Sequence, residues 1–312
     1  PSGRHLGHYK ALFCQVDHSL PKAEQQEIKD KQISIAKIYT DLLNYAITHK
    51  HSYKRWGTIT NMMIYKEPGN VKIHRLRVIH LYEADYNMLL GLKWKEALHS
   101  AQEAGHLHNG QYGSRPGRSA TTVTLMEELR LDYSLLTRRP FCNFDNDAAS
   151  CYDRILIPIS SLIGRGMGIH KNIIAIHAKT LKTAKFNLKL GTRTSIETYS
   201  HTEEKPLHGS GQGSSNSPTI WCFISSKLFQ CHEQLATGMN FISPQGDTTL
   251  HQSIVGFVDD ATVITGGDPT KSINDLLSKT RVDAQFWNNL LWTSGGKLEL
   301  SKCGYHVIYH EF

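Results

Sequence analysis

Two short acidic islands stand out in this chain of 312 residues. The first, FDNDAASCYDRI, carries Asp145, Asp147 and Asp153, and the second, GFVDDATVIT, carries Asp259 and Asp260. Carboxylates are hard oxygen donors of the kind Mg²⁺ prefers, and that ion needs only a few of them because water and substrate phosphates fill its other positions. An acid at the end of one segment facing an acid pair on another is an arrangement suited to two-metal phosphoryl transfer. Alone, an Asp-Asp pair in a turn is an ordinary solvated turn. Other metal chemistry has less support: His5-x-x-His8 and His106-x-His108 lack a matched second pair at a zinc-like distance. The cysteines at positions 14, 142, 151, 222, 231 and 303 show no C-x-x-C spacing and read as reduced thiols serving as small hydrophobes in an intracellular protein.

The elements that must position these acids are legible nearby. Residues 141–147 read as a strand ending in carboxylates. Residues 253–258 and 261–265 read as two apolar strands joined at Asp259-Asp260, a hairpin whose like charges call for a cation. Between the islands, GSGQGSSNSP is a glycine-rich loop able to approach a nucleotide backbone, feeding a helix with Ser217 as cap and Pro218 at the first helical position. Upstream, IYKEPGNVKIHRLRVIHL gives a strand over 58–66, a turn at Glu67-Pro68-Gly69-Asn70 and a second extended segment over 75–79, with Lys66, Arg75 and Arg77 as cations. Ser119 caps a helix that reaches Arg138-Arg139-Pro140. Phe186, Leu188 and Leu190 alternate with lysines and asparagine as a strand, and Gly191 turns it into a partner. Ile273, Leu276, Leu277, Ala284, Trp287 and Leu291 form a helical stripe stopped by Gly295-Gly296, and a last strand pattern covers 298–309. Residues 17–32 read as a polar, exposed stretch leading into a helical pattern at Ile35, Ile38, Leu42 and Leu43. Strands and helices mix without strict alternation, which predicts an α+β fold.

Composition bounds the alternatives. With 39% hydrophobic and 20% charged residues, wholesale disorder is excluded. No apolar run spans a bilayer and no secretory signal opens the chain, so no membrane partner is expected. The chain begins at Pro1, not Met, the expectation for a piece of a longer polypeptide. The net charge of +7 is unevenly spread: residues 1–140 and 154–196 are basic, whereas 141–153 and 197–312 are acidic. Basic stretches of this kind suit a polyanionic partner, and acidic islands within such a protein suit a cation.

The order of these features resembles the reverse transcriptases of non-LTR (LINE-like) retroelements and, next to them, of group II introns. The likeness runs from about Trp56 to about Val307. Phe257-Val258-Asp259-Asp260 is similar to the family's aromatic-x-Asp-Asp hairpin, and Asp147 with Asp153 six residues later is similar to its strand-end motif, which selects Asp147 over Asp145. Gln212-Gly213-Ser214 with Ser217-Pro218 resembles the Gln-Gly-Ser…Ser-Pro loop and helix. QYGSRPGRSATT (111–122) resembles the segment before the first catalytic strand, LELSKCGYHV the closing segment with its lysine, and PSGRHLGHYKALF the start of LINE polymerase domains. Four positions depart from the pattern: Val78 replaces a proline, Cys151 an alanine, and Ser215-Asn216 a more apolar pair.

The resemblance implies right-hand polymerase fingers and a palm with a ferredoxin-like antiparallel sheet and helices on one face, the thumb being absent or truncated. It places the N-terminal extension and fingers in 1–118, palm in 119–162, returning fingers in 163–207 and palm again in 208–312. It implies RNA-directed DNA polymerisation from dNTPs on an RNA template, extending a DNA or RNA primer. Asp147, Asp259 and Asp260 hold two Mg²⁺ (Mn²⁺ as substitute), and Lys66 and Arg77 contact phosphates. The backbone after Asp147, through Cys151, holds the triphosphate, and Tyr152 stacks on the sugar. Gln212 and Gly213 position template and nucleotide, and Lys302 either donates a proton or forms a salt bridge. The protein is then intracellular, in nucleus and cytoplasm, and fused to further domains. The competing readings are an RNA-dependent RNA polymerase on the same palm, disfavoured by the lack of Gly-Asp-Asp, and a catalytically silent nucleic-acid-binding remnant, disfavoured by the three intact acids.

Overall fold

The computed structural model describes residue 12 and residues 14–70, 72–206 and 208–310. The PSGRHLGHYKALF start and the His5/His8 pair fall, Leu12 apart, outside them. The chain forms two compact units: one made of residues 1–93, 169–207 and 211–215, the other of 94–168, 208–210 and 216–312.

The first unit opens with α1 (Lys22–His49). The polar stretch expected to precede a helix is therefore its first three turns. Lys, Glu and Gln are good helix formers, and Glu27–Lys31 (2.6 Å) and Gln26–Asp30 (2.9 Å) pair across one turn. Its apolar residues Ile33, Ile35, Ile38 and Leu42 are exposed, and only Ala46 is buried. A sheet follows, built from β1 (Thr58–Tyr65), β2 (Leu76–Leu81), β4 (Lys185–Leu190) and the short β5 (Arg193–Thr194) and β6 (Tyr199–Ser200). β1 and β2 are antiparallel about the turn at 67–70, and β4 returns parallel to β1. Of the alternating apolar residues in β4, only Phe186 is buried, stacked on Tyr199 at 5.1 Å; Leu188 and Leu190 lie beyond that cover and are exposed. Helix α6 (Lys171–Thr183) packs against α1. At the start of β1, buried Trp56 donates its indole N–H to Asp85 at 3.0 Å, and Arg55 pairs with the same carboxylate. Asp85 lies in the first turn of α2 (Ala84–Glu103), where it also accepts from the Tyr86 N–H.

The second unit is a four-stranded antiparallel sheet in the order β11-β3-β10-β9, from β3 (Phe141–Asp147), β9 (Ile254–Phe257), β10 (Asp260–Gly266) and β11 (Gly304–Ile308). β7 (Met239–Ile242) and β8 (Thr249–Gln252) form a separate hairpin. Successive strand residues face opposite sides, so Phe141, Asn143, Asp145 and Asp147 share one face and Cys142, Phe144 and Asn146 the other. The second face is covered by α7 (Ser217–Leu235) and α8 (Ile273–Thr293). α7 is buried around most of its circumference, and α8 buries Leu276, Thr280, Asp283, Ala284, Trp287 and Leu291 at helical spacing. At the far end of the acid face, Val123, Met126 and Tyr133 of α3 (Ala120–Thr137) pack on a core of Tyr112, Phe141, Val255 and Ile264. Ser119 caps α3 as expected, accepting the Thr122 N–H.

Two local expectations are corrected. The N-cap of α7 is Asn216, which moves Ser217 inside the helix, where its hydroxyl donates to the Ser210 carbonyl at 3.2 Å. The closing segment is not one strand: residues Leu300–Lys302 form a 3₁₀ turn before β11 begins. That turn carries Lys302 to the end of β3.

Candidate active site

β3 and β10 are in register, and the register sets the acids. Asp147 stands directly opposite Asp260, and Asp145 opposite Thr262. Asp145 is engaged on the sheet, accepting the Thr262 hydroxyl at 2.6 Å and lying 3.1 Å from His306 of β11. Asp259 occupies the turn between β9 and β10, and its carbonyl accepts the Ala148 N–H at 3.4 Å, tying the turn to the end of β3. Asp145, Asp147, Asp260, Thr262, Phe257 and Lys302 are among the residues lining a cavity of about 380 Å³ on this face. Glu127 of α3 also lines it, a carboxylate that no motif or spacing marks for this place.

The electrostatics are strained. Burial pushes the Asp259 carboxyl above its ordinary range, and the charges of Asp260 and Asp147 push the same way. Asp260 is raised by desolvation and then by Asp147. Lys302 makes an ion pair with Asp147, which raises the lysine in turn. Of the two roles implied for Lys302, the salt bridge is the one seen. Among the described residues no three His, Cys, Asp or Glu side chains form a ready-made metal cage. Carboxylates raised by desolvation and by neighbouring like charge nevertheless suit a cation that takes few protein ligands and completes its shell from substrate phosphates.

Asn146, between Asp145 and Asp147, points to the opposite face, where its side-chain carbonyl accepts the Trp287 indole N–H at 2.9 Å, both residues being buried. Neither residue was marked by sequence for this, since the partners are 141 positions apart.

The backbone after Asp147 is partly committed. The Ala148 N–H meets Asp259 and the Ala149 N–H donates to Lys297 at 2.7 Å, so the stretch expected to offer amides to a triphosphate is narrowed to its later residues. Ser150 takes a left-handed φ of 51° and opens α4 (Cys151–Arg154), which α5 (Ile157–Gly166) follows. The Cys151 side chain is buried and its thiol is raised by that burial. Tyr152 is half-buried, and burial raises its phenol. Its carbonyl accepts the Ser210 N–H at 2.9 Å. His108, in the motif weighed as a metal ligand, uses both ring nitrogens, toward Gly110 N–H (3.0 Å) and Glu233 (2.8 Å).

The remaining predicted residues belong to the first unit. The Gln-Gly loop is fastened to β2 and α2: the His80 N–H donates to the Gln212 carbonyl at 2.6 Å, and the Ser215 N–H to the Asn87 side chain of α2 at 2.8 Å. Gly213 has φ of 112°, and a Cβ there would press on the His80 carbonyl oxygen, so only glycine fits. Arg77 projects from β2 on the face shared with Ile79, and by register with Ile64 and Met62. Arg75 pairs with Glu67 at 3.5 Å, and Arg75, Arg77 and Lys66 are all exposed.

No family model matches the chain, and no curated protein matches it. Among solved structures, apo telomerase from Candida tropicalis is similar with a TM-score of 0.53 at 14% identity, covering 88% of this chain and 50% of that one. A C-terminally truncated form gives 0.52 at 14% identity over 88% and 56%. The same enzyme with a TWJ fragment of telomeric RNA gives 0.51 at 15% identity over 87% and 45%. The fold is thus α+β, mostly antiparallel sheets with helices, and similar to the fingers and palm of these telomerases. The chain spans about half the length of the telomerases it matches.

Proposed function

We propose that this chain is the fingers and palm of an RNA-directed DNA polymerase of a non-LTR retroelement, with group II intron enzymes as its near kin. The observation that carries the reading is the acid face of the palm, where Asp147 opposes Asp260, Asp259 fills the adjoining turn, and the last two acids are raised by burial and like charge. Asp147, Asp259 and Asp260 would hold two Mg²⁺ ions, with Mn²⁺ as a substitute. When bound, such ions acidify a primer 3′-hydroxyl and neutralise a triphosphate and its leaving group.

The chain's own residues supply orientation. Tyr152 bears on the sugar and disfavours a 2′-hydroxyl, so dNTPs are the substrates. The backbone at Cys151 and the cations Lys66 and Arg77 hold phosphate oxygens. Gln212 and Gly213 position the templating base and the incoming nucleotide. Lys302, paired with Asp147, is the proton donor at hand for the leaving pyrophosphate. RNA is the proposed template and DNA or RNA the primer, held through phosphates with affinity that falls as salt rises. In a retroelement the chain would be fused to further domains and act in the nucleus and cytoplasm. No described helix is long and apolar enough to cross a membrane.

The test is primer extension with Mg²⁺ on RNA and DNA templates, using the full polypeptide that carries this chain and its Asp259→Ala/Asp260→Ala variant. Extension by the parent alone is expected, and equal extension by both sinks the assigned site. In the same assay Tyr152→Val is expected to raise the use of rNTPs relative to dNTPs by about tenfold or more. An unchanged ratio removes Tyr152 from the sugar contact.

A further inference from the structure

The segment that precedes the first catalytic strand, QYGSRPGRS, has a place in the fold that the reading of the acids leaves unused. Its first residues run beside β9: the Tyr112 N–H donates to the Gly256 carbonyl and the Gly256 N–H to the Gly110 carbonyl, each at 2.8 Å, and Gln111 and Gly256 form a parallel bridge. This brings the segment to the turn between β9 and β10. Val258 in that turn has φ of 61°, a left-handed setting that a β-branched residue holds only when its surroundings impose it.

The surroundings are specific. The Val258 carbonyl accepts the Trp221 indole N–H at 2.6 Å and the Gln111 side-chain N–H at 3.4 Å. The Gln111 amide is itself fixed from both ends, donating to the Ser225 hydroxyl at 2.7 Å and accepting the Gly113 N–H at 2.8 Å. Ser225 stands one helical turn beyond Trp221 on α7 and returns its own hydroxyl hydrogen to the Trp221 carbonyl at 2.8 Å. Gln111 and Trp221 are buried, at 0% and 2% exposure. Gly113 completes the fit, because a Cβ there would overlap the Val258 backbone nitrogen. Asp259 and Asp260 follow Val258 directly.

We propose that Gln111 and Trp221 are positioning residues that clamp the Val258 carbonyl and thereby fix where Asp259 and Asp260 present their carboxylates. This rests on the polymerase reading of those acids and adds to it a support built from α7 and the 111–118 segment. A purely structural role would spread its effect over the whole palm; a clamp acts first on the turn.

Trp221→Phe keeps a ring and removes the N–H, and Gln111→Leu removes the second donor. Both are to be compared with the parent by hydrogen exchange of the 257–260 amides against β3, by Mn²⁺ binding followed by electron paramagnetic resonance, and by dNTP kinetics on a primed RNA template. The clamp predicts exchange in the turn faster by about tenfold or more with β3 still protected. It also predicts Mn²⁺ affinity weaker by about threefold or more, and kcat lowered with the dNTP KM held within about twofold. Unchanged exchange in the turn overturns the clamp whatever the activity. So does a loss of protection spread evenly through β3 in both variants, which marks them as plain core residues. If Mn²⁺ binds the parent and its Asp259→Asn/Asp260→Asn variant equally, the polymerase reading fails while the exchange measurement still decides the clamp.

Discussion

Replacing Asn146 by leucine tests whether the strand that carries Asp145 and Asp147 is pinned from behind. The Asn146 side chain accepts the Trp287 indole N–H at 2.9 Å and donates to the Phe144 carbonyl at 3.2 Å. Trp287 is 1% exposed, so no water replaces a lost acceptor. Leucine is of similar size, which leaves little cavity, and the main loss is a buried indole N–H without a partner, about 1–3 kcal/mol. Trp287→Phe leaves the Asn146 oxygen without its donor and shrinks a core ring, and costs about 2–4 kcal/mol. In the Trp287→Phe background, however, Asn146→Leu removes an oxygen already left unpaired and loses only the bond to the Phe144 carbonyl, so its further effect is smaller by the cost of the stranded indole N–H. The coupling between the two sites is therefore about 1–3 kcal/mol. For a unit of this size each kilocalorie moves the melting midpoint by roughly 2–4 °C. Thermal and urea denaturation of the parent, both single variants and the double variant, followed by circular dichroism, measure it. If Asn146→Leu lowers stability equally in both backgrounds, the bond is not what supports β3 and the reasoning is wrong.

Asp260→Asn is expected to trade activity for stability. Because desolvation and Asp147 raise the folded-state pKa above its unfolded value of 3.8, the folded protein binds the proton more tightly. Stability from this group is therefore lost as pH rises through that interval, and the penalty is complete at neutral pH. In metal-free buffer the variant is expected to melt higher than the parent at about pH 7 and level with it at about pH 3, with primer extension abolished; an equal shift at both pH values refutes the electrostatic cause. In the first unit, Asp85→Ala strands the Arg55 guanidinium and frees the Trp56 indole and Tyr86 amide, a loss of about 3–5 kcal/mol. Asp85→Asn, which keeps an acceptor for the latter two, is expected to lose less, and equal midpoints for the two variants in urea would count against the ion pair.

Much of what carries the site was written locally. The strand over Phe141–Asp147, the Ser119 cap of α3, the stripe of α8 and the Asp259-Asp260 turn each depend on alternation, capping or helical spacing within a few residues, and these are the patterns a sequence displays directly. Adjacent residues can exchange places: Asn216 and Ser217 are both of cap-forming type, and the helix opens after Asn216, whose side chain makes no capping hydrogen bond, while the Ser217 hydroxyl donates to the Ser210 carbonyl. The polar stretch over 17–32 reads as exposed and as leading into the helical pattern that starts at Ile35, yet propensity and one-turn pairs suffice to start the helix at Lys22.

Pairing across the chain was decided by the tertiary structure alone. The resemblance brings Asp147, Asp259 and Asp260 to one site and allows Lys302 a salt bridge, but the Asp147–Asp260 register, Asp147 as the partner of Lys302, and Trp287 holding Asn146 from the other face are not written in the residues around Asp147. Nor does the Gln-Gly loop reveal that β2 and α2 will fasten it. These contacts arise from strand register and from which helix covers which face. The residue types were in the sequence, and with them the chemistry. Their register, and the burial that raises Asp259 and Asp260, came from the sheet that brings distant segments together.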